Sequence, residues 1–178
     1  AQPDVCALPP TVQVPLNATC ASLAPLAKHA VDLAGMTGEQ EHAQLLVRTP
    51  VSASKDLSIL AVRVRGLAPA TVRMRQVGYV NTSATTRYAP SGGGWRPDPL
   101  LELNPAGTFL EPGTATPLWL TVTLPGDGGT LTGAIELVLS DGRQLIVSVN
   151  LTVWRHLTLP TALELHRDFG EIWSWNTA

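Results

Sequence analysis

The chain has 178 residues, of which 44% are hydrophobic and only 15% charged, with 15 glycines, 15 prolines and a formal net charge of −2. That length makes one domain able to bury roughly 70% of its unfolded surface, and the charge gives no electrostatic reason to expect nucleic acid or an anionic membrane as partner. No apolar run approaches the roughly 20 residues of a membrane-spanning helix, and the motifs of phosphate-loop, dinucleotide-binding and serine-hydrolase sites are missing, so no cofactor is expected.

In chain order, "AQPDVC" has neither a charged nor an apolar leader segment, and an opening on Ala1 suits a signal peptide already removed. Cys6 and Cys20 follow. In an oxidising compartment their disulfide would close a short loop and constrain the unfolded chain by about 3 kcal/mol; two free thiols in a cytosolic protein are the alternative. Three sequons offer glycan acceptors at Asn17, Asn81 and Asn150, and with the cysteines they favour secretion. The stretch Cys20 to Gly35 has helical propensity but is interrupted by Pro25. It reads equally as a loop leading into a strand at Ala30 to Leu33.

From there the dominant period is two. "AQLLVR", "LSILAVRVR" and "TVRMRQVGYV" read as strands, with arginines alternating on the solvent side; arginine outnumbers lysine ten to two. "YAPSGGGWRPDPLLELN" (Tyr88 to Asn104) begins as a glycine-rich loop and ends as an apolar strand. In "PLWLTVTLP", Leu118, Leu120, Val122 and Leu124 share the inner face and Trp119, Thr121 and Thr123 the outer. Leu131, Ile135, Leu137 and Leu139 then turn inward. After the Asp141-Gly142 hairpin signal, Leu145, Val147, Val149, Leu151 and Val153 alternate with polar residues that include Asn150. Short strands separated by glycine and proline predict an all-β chain, an antiparallel β-sandwich of immunoglobulin-like or jelly-roll-like type with short irregular extensions at both ends. The expected divisions are residues 1–28 as an N-terminal extension, 29–160 as the sandwich and 161–178 as a tail. That tail carries Phe169, Trp173 and Trp175, large aromatics that need something to pack against.

The chemistry is sparse. His29, His42, His156 and His166 lack the spacing of a metal site, and no metal is expected. Glu39 and Glu41 share a face just before an apolar run and read as a solvated edge rather than a catalytic pair. Trp95, Arg96 and Asp98 could line a sugar site, because aromatic rings stack on sugars while carboxylates and guanidinium groups bond hydroxyls. The prolines flanking Asp98 argue instead for a structural fastening or a domain-junction contact.

Six segments in order, "GEQEHAQLLVR", "VGYVNTS", "GGWRPDPLLELN", "PLWLTVTLP", "GTLTGAIELVLSDG" and "VNLTVWRHLTLP", carry a resemblance. From Val31 to Phe169 the chain resembles the amino-terminal β-sandwich domain of glycoside hydrolase family 123, which precedes a TIM-barrel catalytic domain. The resemblance implies that Leu159-Pro160 marks the crossing into the barrel and that the tail corresponds to its opening. Relatives use the substrate's own acetamido group as nucleophile, assisted by an adjacent Asp-Glu pair. This sequence has no such pair, so no catalytic residue is carried over and the chain alone is not expected to be an enzyme. The partners implied are a catalytic domain, in the same chain or another protein, and carbohydrate. A stand-alone carbohydrate-binding or cell-surface module, and an assembly subunit docking through Trp173 and Trp175, are the competing expectations.

Overall fold

The computed structural model describes residues 3–53, 56–82 and 94–155. Through them run β1 (Asp4–Leu8), β2 (Ala30–Met36), β3 (Gln40–Arg48), β4 (Ser58–Arg65), β5 (Thr71–Thr82), β6 (Gly94–Glu102), β7 (Thr108–Phe109), β8 (Ala115–Thr123), β9 (Gly129–Leu139) and β10 (Gln144–Trp154). They form two five-stranded sheets, the first ordered β1-β3-β8-β5-β6 and the second β2-β10-β9-β4-β7. The expected all-β sandwich is the observed fold. One pairing departs from the antiparallel rule: β10 and β2 run parallel, Ser148 opposite Ala30 through Trp154 opposite Met36.

Alternation builds the core. In β10 every second residue from Leu145 to Val153 is buried while its neighbours are exposed. Leu118, Leu120 and Val122 of β8 and Ile135, Leu137 and Leu139 of β9 enter the same cluster, with Leu131 packed at its margin. The β9–β10 hairpin turns where expected. Gly142 adopts a φ of +84°, which only glycine takes without strain, and the Asp141 carboxylate accepts hydrogen bonds from the Arg143 backbone (3.1 Å) and side chain (2.7 Å). Those bonds hold the Asp141 carboxyl below its ordinary pKa.

The expected N-terminal extension is not separate from the sandwich. Its residues Asp4 to Leu8 pair with Arg48 to Gln44 and become the edge of the first sheet. The free side of β1 is then closed at one point by a reciprocal backbone pair with Lys28, at 2.8 and 2.9 Å. Cys6 and Cys20 form the disulfide. Between them the chain folds back over the outer side of the first sheet, where Cys6, Leu8, Val14, Ala18, Leu46 and Ala115 make a second small core. This cover explains why Ala43 to Val47 are buried without alternation. The Gln44 amide nitrogen reaches the carbonyls of Pro9, Pro10 and Val12 at 3.3, 3.1 and 2.8 Å, and the Tyr79 hydroxyl donates to the Val14 carbonyl at 3.0 Å.

Beyond Cys20 no α-helix forms among the described residues. Thr19 and Ser22 exchange hydrogen bonds across a single 3-10 turn, Ala21–Leu23, and the loop alternative holds, with β2 starting at Ala30. Glu39 closes the β2–β3 turn by accepting from the Met36 N–H at 2.7 Å, the edge role expected of it. The tail with His156, His166, Phe169, Trp173 and Trp175, and the boundary at 160, lie outside the described residues.

Two predictions follow from this packing. A Cβ at Gly133 would sit 2.2 Å from the Arg65 carbonyl oxygen and 2.7 Å from Leu67, so Gly133→Ala overpacks the end of β4. Thermal unfolding is expected to show a loss of about 3 kcal/mol, or roughly 6 to 12 °C; a loss under about 1 kcal/mol would mean that the β4 end yields. Burial pushes the Tyr79 phenol up to about 12 from an ordinary value of 10.0. The folded state therefore keeps this proton where the unfolded chain loses it, and the stability linked to it is intact below pH 10 and falls as pH rises toward 12. Phenolate absorbance should show one of the two tyrosines ionising late, and Tyr79→Phe should remove that step and flatten stability between pH 10 and 12. A Tyr79 that titrates near pH 10 in the folded protein would refute it.

Candidate functional site

Trp95, Arg96 and Asp98 all lie on β6, in a strand that starts earlier than expected, at Gly94. Prolines 97 and 99 are tolerated because β6 is an edge strand among the described residues, with no described partner on its far side to need their missing N–H groups. Trp95 pairs with Asn81, Arg96 with Val80 and Pro97 with Tyr79, after which the register slips between Tyr79 and Val77. Gly78 sits at the slip, where a Cβ would meet Pro99 at 2.9 Å. Successive residues on a strand face opposite ways, so Trp95 and Arg96 point apart. Trp95 stands 54% exposed near the strand start, while Asp98, at the slip, borders a cleft on the outer face of the first sheet.

That cleft is a concave surface bordered by one of the expected site residues, Asp98. One wall is the covering segment from Pro10 to Gln13; the other is β6 at Pro97, Asp98 and Leu100; the floor is Gln44, Val77 and Trp119, around about 250 Å³. A second hollow of about 270 Å³ continues along the same face, bordered by Gln40, Thr71, Arg73, Arg75, Thr121 and Thr123. Register explains why these residues meet. Gln44 lies opposite Trp119, Trp119 opposite Arg75 and Arg75 opposite Glu102, so one outward row crosses four strands. His42, Thr121 and Arg73 make the next row, and Gln40, Thr123 and Thr71 the one after. The His42 ring lies 5.5 Å from that of Trp119, tilted by 39°, and its Nδ1 is 3.2 Å from the Thr121 hydroxyl. Arg73 pairs with the Glu102 carboxylate. Sequence reasoning placed Trp119, Thr121 and Thr123 outward but missed Gln44, His42 and the covering wall. Their signal was the polar residues at alternate positions Gln40, His42 and Gln44, out of step with the core residues Ala43, Leu45 and Val47.

The other candidates disperse. Asn17 is exposed in a turn and Asn81 is exposed opposite Trp95. Asn150 faces outward from β10, as expected, and its side-chain N–H donates to Asp32 at 2.8 Å. On the outer face of the second sheet, Glu136 is buried and takes the Arg65 guanidinium at 2.8 Å, which offsets part of the cost of burying a carboxylate. Among the described residues no group of three or more His, Cys, Asp or Glu side chains is placed to hold a metal, and no helix is long and apolar enough to cross a membrane.

No family model matches the chain, and no curated protein matches it in sequence. Solved structures do match its fold. A family 123 glycoside hydrolase from Clostridium perfringens, studied for glycolipid glycan hydrolysis, superposes with a TM-score of 0.68 at 11% identity, covering 89% of this chain and 28% of that one. PapD-like domain 7 of human CEP192 matches at 0.40 and 12% identity over 72% of this chain and 84% of its own, and the seventh ScaB type I cohesin of Pseudobacteroides cellulosolvens at 0.35 and 8% over 73% and 92%. At 11% identity only the fold is shared with the family 123 hydrolase, and this chain spans little more than a quarter of that protein's length.

Proposed function

We propose that this chain is a non-catalytic accessory β-sandwich of a secreted, carbohydrate-active protein, supporting or docking against a catalytic domain of the family 123 kind. The observation that carries this reading is the shared two-sheet fold, which covers 89% of this chain but 28% of the hydrolase. The six ordered sequence segments agree with it. A piece of that proportion corresponds to one domain of a larger enzyme, and catalysis belongs elsewhere: the sequence has no adjacent Asp-Glu pair, and Glu39 is engaged in closing a turn. The Cys6–Cys20 disulfide supports an oxidising, extracellular location. The proposed divisions are residues 1–28 as an N-terminal extension whose strand β1 joins the first sheet, 29–160 as the sandwich and 161–178 as the approach to the catalytic domain. A free-standing carbohydrate-binding module is the second reading, favoured by the cleft that Trp119 and Gln44 floor, with Asp98 at its edge.

The intact mass of the protein isolated from its source, before and after deglycosylation and reduction, tests the first reading. A polypeptide several hundred residues heavier than 18.9 kDa is expected. A deglycosylated mass equal to the 178 residues less two hydrogens would overturn it in favour of the free-standing module. Any loss of mass on deglycosylation reports use of Asn17, Asn81 or Asn150.

A further inference from the structure

We infer that the outer face of the first sheet, centred on Trp119 and running toward Thr123, binds a neutral oligosaccharide. The two hollows lie along this face on the same strands, sharing β8 as their common floor. From Trp119 to Thr123 along β8 is four residues, roughly 13 Å at about 3.3 Å per residue, so the face has the length of a short chain of sugars rather than a single one.

The side chains that project into this strip have the chemistry that sugars need. Trp119 supplies an aromatic surface, steadied by the His42 ring and so ordered before any ligand arrives. Around it stand an amide at Gln40, hydroxyls at Thr71, Thr121 and Thr123, and the guanidinium groups of Arg73 and Arg75. Planar amide and guanidinium groups bond neighbouring hydroxyls in pairs, and threonine hydroxyls both donate and accept. The Nε of Arg75 is buried with no partner, an unmet donor on the floor of the face.

Charge selects the class of sugar. Arg73 is paired with Glu102, and Asp98 stands at the other cleft, so the two guanidinium groups of the face are equalled in number by two carboxylates. An acidic or sulfated chain would find no net positive field there; a neutral one meets donors and acceptors in balance. The outer face of the second sheet differs. Around Asn150 it presents Ala30, Ala34, Thr132, Ser148 and Thr152, small side chains that form no aromatic platform at its centre, and Trp154 lies at the end of its strand.

The choice of carbohydrate as ligand rests on the proposed function, but the two stand or fall by different measurements, since the native mass is silent on binding. The probes are cellohexaose, xylohexaose, mannohexaose, laminarihexaose and chitohexaose, titrated into the full 178-residue chain by calorimetry and tryptophan fluorescence. At least one is expected to bind with a Kd below about 1 mM. Trp119→Ala should weaken it at least tenfold, and the double variant Gln40→Ala, Thr123→Ala severalfold, while Trp154→Ala on the other sheet leaves it unchanged. The double variant, at positions near solvent, keeps the test alive should Trp119→Ala fail to fold, as its melting temperature would reveal. Absence of binding across the panel, wild-type affinity in either cleft variant that folds, or loss of binding in a folded Trp154→Ala would overturn the inference.

Discussion

Leu118, Leu120 and Val122 of β8 and Val147, Val149 and Leu151 of β10 have almost no surface left exposed, and the position of everything else follows from how that aliphatic layer is buried. Each such side chain contributes roughly 1.5 to 3 kcal/mol on leaving water. The layer makes β8 the middle strand of its sheet and leaves its alternate residues, Trp119 and Thr121, no choice but to face outward. The polar outer face is thus a by-product of core geometry. Its side chains stand in rows because the strands beneath them are held in register by the layer on the other side.

The covering segment after β1 converts part of that face into a walled cleft. A strand surface bearing Leu8, Leu46 and Ala115 outward would expose an apolar patch, and Val14 and Ala18 close it. Gln44 is the polar anchor of this arrangement. Its amide is buried, which is costly unless its hydrogen bonds are met, and the three carbonyls of the Pro9 to Val12 stretch meet them. The disulfide adds a constraint of a different kind, acting on the unfolded chain by closing a loop with a sequence separation of 14. Together they tie wall to floor.

Much of this was legible beforehand. The strand alternation, the Asp141-Gly142 hairpin, the outward Asn150 and the edge role of Glu39 are local properties, and each stands where local chemistry put it. β1 was harder, since five residues before Pro9-Pro10 show too little alternation to separate a strand from a loop. For β6 the point where the glycine-rich loop gives way to the strand is hard to place, because proline penalises a strand unless the strand happens to be at an edge, and edge position is not written in the local sequence. Where Asp98 stands was not legible for a related reason: it falls at the slip in register opposite Gly78, and such a slip is set by the pairing of β5 with β6 rather than by the local sequence.

By itself the sequence determined that the chain is a sandwich, which residues line its core and which point away, since period-two alternation and turn chemistry act between near neighbours. Only the tertiary structure decided which strands lie side by side, and therefore that Gln44, Trp119, Arg75 and Glu102, separated by up to 75 positions along the chain, form one row behind a wall made by the amino terminus. Pairing is set by long-range burial and register, and every aliphatic strand in this chain offers the others a similar inner face, so nothing local distinguishes the right neighbour from the wrong one.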